Sequence, residues 1–261
     1  MADREKILRY FRSCGDGELA SRLLDLADFS VRYHRYKVSE FLDPHGFNIA
    51  ETIAANYDGV EIISNGGYTG AERIKAAFVD KEFPGTVDYG ITALSINWDS
   101  RYYHITHRDV LGSILASGIK REVIGDIVMS SDGCIIITDT SLKQYILQNT
   151  IKIGEAPVSI TEITLDKIPA REEKIKEIRT TVASLRLDVI AASGFGVSRS
   201  KMADEISFEK VKVNWQNAKN SAQSIKVGDV ISMRGRGRVE VCEIVGQTKK
   251  GRTSIILKRF I

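Results

Sequence analysis

The chain has 261 residues, 43% of them apolar and 27% charged, enough to bury a core and too order-promoting for a disordered tail. No apolar run approaches the roughly 20 residues of a membrane span, and the charges of Met1–Lys6 fall where a signal peptide needs apolar residues, so a cytoplasmic protein without membrane insertion is expected. Cys14, Cys134 and Cys242 are too few and too scattered for a disulfide framework or a thiolate zinc site.

Charge is polarised along the chain. Residues 181–261 carry 15 Lys and Arg against 7 Asp and Glu, a net +8, and the preceding part carries 22 against 27, a net −5. A basic end on an acidic body favours a polyanionic partner on one side over an evenly solvated surface.

In chain order, Ile7, Leu8 and Phe11, then Leu19, Leu23, Leu24 and Leu26, predict helices over 3–12 and 17–33. Phe41-Leu42-Asp43-Pro44 reads as an extended stretch entering a turn, followed by a helix through Ala50 to Ala55. Val60 to Ile63 predicts a strand, Gly66-Gly67-Tyr68 a loop, and Ala71 to Val79 a helix with Glu72 near its start. Val87 to Trp98 is β-rich, Asp109 is placed to cap a helix through Ala116, and Gly118 suits a left-handed stop. Ile124 to Met129 and Cys134 to Thr138 form a hairpin across Ser130-Ser131-Asp132-Gly133, with a helix over 142–151 and a strand over 158–165 to follow.

These elements predict an α+β protein: an N-terminal α/β domain over 1–85, an RRM-like (ferredoxin-like) βαββαβ domain over 86–165, a connector or solvated helix over 166–182, and a C-terminal domain over 183–261. The middle domain lacks the strand aromatics on which RNA bases stack in an RRM, so that mode of readout is not expected of it.

The basic domain carries the chemistry. A helical run over 184–192 stops at Gly194-Phe195-Gly196, and Ser198 opens a second helix with Arg199 and Lys201 in its first turn, against the preference of the helix dipole for acids. An anion explains that choice: backbone N–H groups, the Ser198 and Ser200 hydroxyls, Arg199 and Lys201 would converge on a phosphate. Alternation over 210–214 puts Lys210, Lys212 and Asn214 on the solvent face of a strand. Arg234, Arg236 and Arg238, separated by Gly235 and Gly237, read as a flexible phosphate-gripping loop.

Arg186-Leu187-Asp188, Gly194-Phe195, Ser198-Arg199-Ser200, Val211-Lys212-Val213-Asn214 and Gly228-Asp229-Val230-Ile231 resemble, in order and spacing, the RNA-binding domain named after ribosomal protein S four. With Phe41-Leu42-Asp43-Pro44, Gly66-Gly67-Tyr68, His107-Arg108-Asp109 and Gly118-Ile119-Lys120-Arg121-Glu122, the resemblance extends over nearly the whole chain to the YlmH family. Glu209 departs from the pattern, standing where the family usually has Gly. The resemblance implies a bacterial protein that binds ribosomal RNA and tRNA through an S-four-type domain. It also implies association with large ribosomal subunits stalled with peptidyl-tRNA; genes of the family lie near cell-division genes, a context that leaves division-protein contacts as a further expectation. Arg186 joins the candidate RNA-binding residues on this ground.

Catalysis has thinner support. Arg186-Leu187-Asp188 echoes the catalytic segment of pseudouridine synthases, but the Ser-Arg-Ser and Val-Lys-Val-Asn pattern that follows favours a binding module with Asp188 holding its basic neighbours. His104, His107 and Asp109 make a thin metal set that diverging side chains would dissolve. His107-Arg108-Asp109 also echoes a kinase loop, with Ile114 where that loop needs Asn. Arg121, Glu122 and Asp126 form a charged turn that suits a local ion-pair network as well as a contact surface. No phosphate loop or dinucleotide fingerprint occurs, so no cofactor, metal or catalytic residue is assigned. An RNA-modifying enzyme and a division-linked adaptor remain the alternatives to a non-enzymatic RNA-binding protein.

Overall fold

Leu8 and Phe11 of α1 (Arg4–Cys14) and Ala20, Leu23, Leu24 and Ala27 of α2 (Gly17–Tyr33) recur at helical spacing, and all six are buried. The computed structural model describes residues 4–170, 175–249 and 251–260, which fall into two units, Met1–Arg171 and Glu172–Ile261. No helix among the described residues is long and apolar enough to cross a membrane.

In the first unit, β1 (Tyr36–Leu42) runs into α3 (Pro44–Ala55), where Asp43 accepts the Gly46 N–H at 2.9 Å and Pro44 occupies the first turn. Strands β2 (Val60–Asn65) and β3 (Ile74–Asp80) complete an antiparallel sheet of order β1-β3-β2. Leu23, Leu24, Ile49 and Ile53 of the helices pack with Phe78 of the central strand. The helix expected over Ala71 to Val79 is therefore corrected to a strand. A short apolar run that is buried along most of its length gives no period to separate strand from helix, and pairing on both edges overrides the helical preference of Ala76 and Ala77.

The chain then forms β4 (Ile91–Asn97), α4 (His107–Ala116), β5 (Ile124–Met129), β6 (Gly133–Asp139), α5 (Lys143–Asn149), a small β7–β8 hairpin (Lys152–Ile153, Ala156–Pro157) and β9 (Ser159–Ile163). The larger sheet has the order β5-β6-β4-β9, antiparallel throughout. One face packs Leu94, Ile96 and Ile136 against Val110 and Ile114 of α4 and Ile146 of α5. The other packs Ala93 and Ile137 with Phe41, Ile168 and the half-buried Tyr68 and Leu165. Thr106, not Asp109, is the N-cap of α4. Asp109 is its partner in a capping box, accepting the Thr106 N–H at 2.9 Å, because the helix begins three residues earlier than the carboxylate suggested.

The described residues of the second unit form one antiparallel sheet, order β10-β15-β14-β13-β11-β12, with two helices. Its elements are β10 (Ile175–Val182), α6 (Leu187–Phe195), α7 (Arg199–Ser207), β11 (Val211–Val213), β12 (Gln216–Asn217), β13 (Val230–Met233), β14 (Gly237–Gln247) and β15 (Thr253–Phe260). Residues 175–182 of the expected connector pair with β15 along their whole length, while its residues 171–174 lie outside those described. Gly194 lets α6 lie close on the sheet: a Cβ there would sit 2.7 Å from Val239 Cγ1. Leu187, Ile190, Phe195, Met202, Ile231 and Leu257 close the core.

Polar joints tie the two sheets of the first unit. Asp126 accepts from the Tyr68 hydroxyl (2.9 Å) and from the Glu72 (2.7 Å) and Arg73 (3.1 Å) N–H groups, while Arg73 donates to the Ile124 and Phe41 carbonyls. Arg121 donates to the Ile124 and Gly125 carbonyls, and burial, with Arg73 nearby, lowers its pKa to about 10. Lys75 of β3 is buried and donates to Asp139 at the end of β6 (2.5 Å) and to the Tyr89 and Gly90 carbonyls (2.9 and 3.2 Å). Burial raises the Asp139 pKa, but hydrogen bonds from Lys75 and Ser141 outweigh it and hold the carboxyl below its ordinary range. Replacing Lys75 with Ala leaves those acceptors without their shared donor and is expected to cost about 3 kcal/mol. Urea denaturation followed by tryptophan fluorescence, with Trp98 in this unit, measures it; an unchanged midpoint would refute the joint.

Candidate nucleic-acid interface

The C-terminal helices are arranged around one buried carboxylate. Asp188, in the first turn of α6, has a side chain only 4% exposed. Arg186 Nε reaches its Oδ1 at 3.0 Å and Arg186 Nη2 its Oδ2 at 3.1 Å, while Arg199 Nε reaches Oδ2 at 2.8 Å. The guanidinium side chains stay 39% and 58% exposed, so the anion is hidden and the cations reach the surface. Burial pushes the Asp188 pKa up, but the hydrogen bonds from Arg186 and Arg199 prevail and hold it below the ordinary carboxylate range.

Ser198 caps α7, accepting the Lys201 N–H at 3.2 Å, and its hydroxyl lies 3.2 Å from that of Ser200. Ser198, Ser200 and Arg199 thus gather at the start of α7 as expected, but Ser198 Oγ is engaged in capping and Arg199 leans on Asp188. A second ion pair forms at Glu205. Lys210 pairs with it at 2.9 Å, and this contact, with Lys201 and Arg236 nearby, holds the Glu205 carboxyl below its ordinary pKa.

Strand β11 is shorter than alternation suggested. Val211 and Val213 are buried and Lys212 is exposed, but Lys210 and Asn214 lie beyond its ends. Asn214 (φ +50°) and Trp215 (φ +65°) form the two-residue turn between β11 and β12, both left-handed as a type I′ turn requires. Asn214 donates its amide to Asp229 at 2.9 Å and accepts the Val230 N–H at 2.9 Å, so its polar groups hold the β13 connection. The arginine-glycine segment is corrected from a flexible loop to a tight hairpin turn. Met233 pairs with Gly237, the Arg236 N–H returns to the Met233 carbonyl at 2.9 Å, and the left-handed Gly235 and Gly237 permit the reversal. Arg234 and Arg236 are exposed on this turn. Arg238, already in β14, stands opposite Ser232, which stands opposite Lys212, and its guanidinium lies 4.6 Å from the Phe260 ring centroid.

Sequence reasoning missed Phe208, whose exposed ring lies 5.5 Å from Lys210 Nζ; its aromatic character next to the basic strand was the available signal. It also missed His34, Asp80 and Glu82, which bring one potential ligand atom each within 4.8 Å of one another, since their separation in the chain carries no motif.

Two outcomes test this geometry. Replacing Asp188 with Asn is expected to lower the stability of the C-terminal unit by about 1–3 kcal/mol at neutral pH. The folded carboxyl titrates below its unfolded value near 4, so this stabilisation is complete above that value and is lost as pH falls through the lower folded pKa. Urea melts of parent and variant should converge in acid; a pH-independent gap would contradict the ion-pair account. Glu209 has φ +55°, a conformation natural to glycine, and Glu209→Gly is expected to raise stability by roughly 1 kcal/mol in thermal melts.

Residues 84–167 match the family described as the putative RNA-binding domain in YlmH, and residues 176–260 match the C-terminal domain of mitochondrial transcription rescue factor 1. The chain is 32% identical over 229 residues, 87% of its length and 88% of the relative's, to ribosome-associated protein quality control protein P2 of Bacillus subtilis. It is 25% identical over 97 residues, 37% of this chain and 36% of the other, to mouse mitochondrial transcription rescue factor 1. A solved structure, cell division protein ylmH from Streptococcus pneumoniae, is similar in fold at a TM-score of 0.51 and 22% identity, covering 59% of this chain and 95% of that one. With most of both sequences aligned to the Bacillus subtilis relative, the chain belongs to the YlmH family.

Proposed function

We propose that this protein binds folded RNA through its C-terminal unit, acting as an S-four-type domain, and works at the large ribosomal subunit on ribosomal RNA and peptidyl-tRNA in the rescue of stalled ribosomes. The observation that carries the reading is the buried Asp188 with Arg186 and Arg199 turned outward from it. Two guanidiniums against one carboxylate leave a net positive charge at the surface, oriented before any ligand arrives, and guanidinium suits phosphate oxygens. Ser198, Ser200 and Lys201 flank Arg199 in the sequence. Lys210, Lys212, Arg234, Arg236 and Arg238 supply further cations, and Asn214 holds the turn that leads from β11. The name of the Bacillus subtilis relative, a ribosome-associated quality control protein, supports the ribosomal setting.

The first unit, with its segments 1–85 and 86–165, positions this module. Base stacking on its larger sheet is disfavoured, because the face opposite the helices is packed against Phe41, Tyr68 and Ile168. Binding without bond-making also accords with Asp188: a carboxylate 4% exposed, with both oxygens engaged by arginines, is a poor nucleophile for a pseudouridine-synthase type of reaction.

Affinity for ribosomal RNA fragments, measured against salt concentration, tests the reading. Arg199→Ala combined with Lys201→Ala should weaken binding and flatten the salt dependence by roughly two phosphate contacts. Unchanged affinity and slope would refute it.

A further inference from the structure

We infer that Phe208 is a stacking platform for an unpaired base, so that the C-terminal unit selects RNA with a flipped-out nucleotide next to its phosphate contacts. This rests on the RNA-binding reading above and deepens it by naming the feature of the RNA that is recognised.

Phe208 follows α7 directly and is 69% exposed, whereas Phe195 in the same unit is 1% exposed. The ring is carried on a well-braced backbone. The Phe208 N–H donates to the Asp204 carbonyl (3.0 Å), Glu209 N–H to Ile206 (3.0 Å) and Lys210 N–H to Glu205 (3.1 Å), with Glu209 left-handed between them. The ring therefore projects from a fixed point on the surface.

Its surroundings specify the ligand. Lys210 Nζ lies 5.5 Å from the ring centroid and pairs with Glu205, one helical turn back, at 2.9 Å. The Arg234 N–H donates to the Lys210 carbonyl at 2.9 Å, which fixes the arginine hairpin alongside. Ser207, Glu209 and Lys210, its neighbours in the chain, are all exposed and polar. A protein-docking surface would set such a ring among other apolar side chains. A single ring beside Lys210, on a polar surface that also carries Glu205 and Glu209, suits a nucleotide better than an apolar partner: its base stacks on the aromatic face while its flanking phosphates meet the Lys and Arg heads.

The test uses the full chain and two end-labelled RNA hairpins, one with a single bulged adenosine and one with the same stem fully paired, titrated by fluorescence anisotropy at several salt concentrations. Phe208→Ala should lose at least about fivefold affinity for the bulged hairpin, with little change for the paired one. Its salt slope should match that of the parent, since no phosphate contact is removed. Phe208→Trp should retain the preference. An alanine variant that binds both hairpins like the parent, or loses equally on both, overturns the inference while leaving the RNA-binding reading intact. A parent protein that binds neither hairpin at low salt overturns that reading, and the inference with it. Circular dichroism melts of each variant confirm that the fold is kept.

Discussion

A carboxylate withdrawn from water organises the C-terminal unit. Asp188 sits at the start of α6, where the helix dipole favours an anion, yet its burial is tolerable only because three guanidinium nitrogens reach it. One of the arginines immediately precedes α6 and the other opens α7, so a single buried charge sets the orientation of two helix starts. The oddity of basic residues in the first turn of α7 is thereby resolved: Arg199 answers an acid within the protein before it answers any ligand.

This arrangement differs from a patch of mobile surface cations. Side chains that are already oriented give up less entropy on binding, so electrostatic attraction is less offset by ordering. The hairpin at Arg234–Arg236 works toward the same end by other means, since its left-handed glycines and the Arg236-to-Met233 hydrogen bond hold the turn closed. The candidate cations are therefore carried on helix starts, on β11 and β14, and on the turns beside them.

The first unit solves a different problem. A β-α-β-β-α-β sheet has one helix-free face, and here Phe41 and Tyr68, carried by β1 and the loop before β3, cover it together with Leu165 and Ile168. The two sheets are joined by Lys75, Arg73 and Asp126: Asp126 accepts the Glu72 and Arg73 N–H groups, Arg73 donates to the Ile124 carbonyl and Lys75 to Asp139. Segments 1–85 and 86–165 pack together, because the helix-free face of the second is covered by residues of the first.

The sequence by itself determined the elements whose cues are local: the amphipathic α1 and α2, the Ser130–Gly133 hairpin, the left-handed Gly118, and the Ser198 cap of α7. Family membership was also legible, because motif order and spacing survive without coordinates. Only the tertiary structure decided β3, where burial removes the period that separates strand from helix, and β10, whose mixed charges read as a connector until β15 supplies a partner. It likewise decided the candidate interface. That Arg186 and Arg199 share one carboxylate, that Lys210 pairs with Glu205, and that Asn214 is tied to Asp229 are consequences of non-local packing. No spacing along the chain encodes distances of this kind, since they arise only when separate elements meet on a common core.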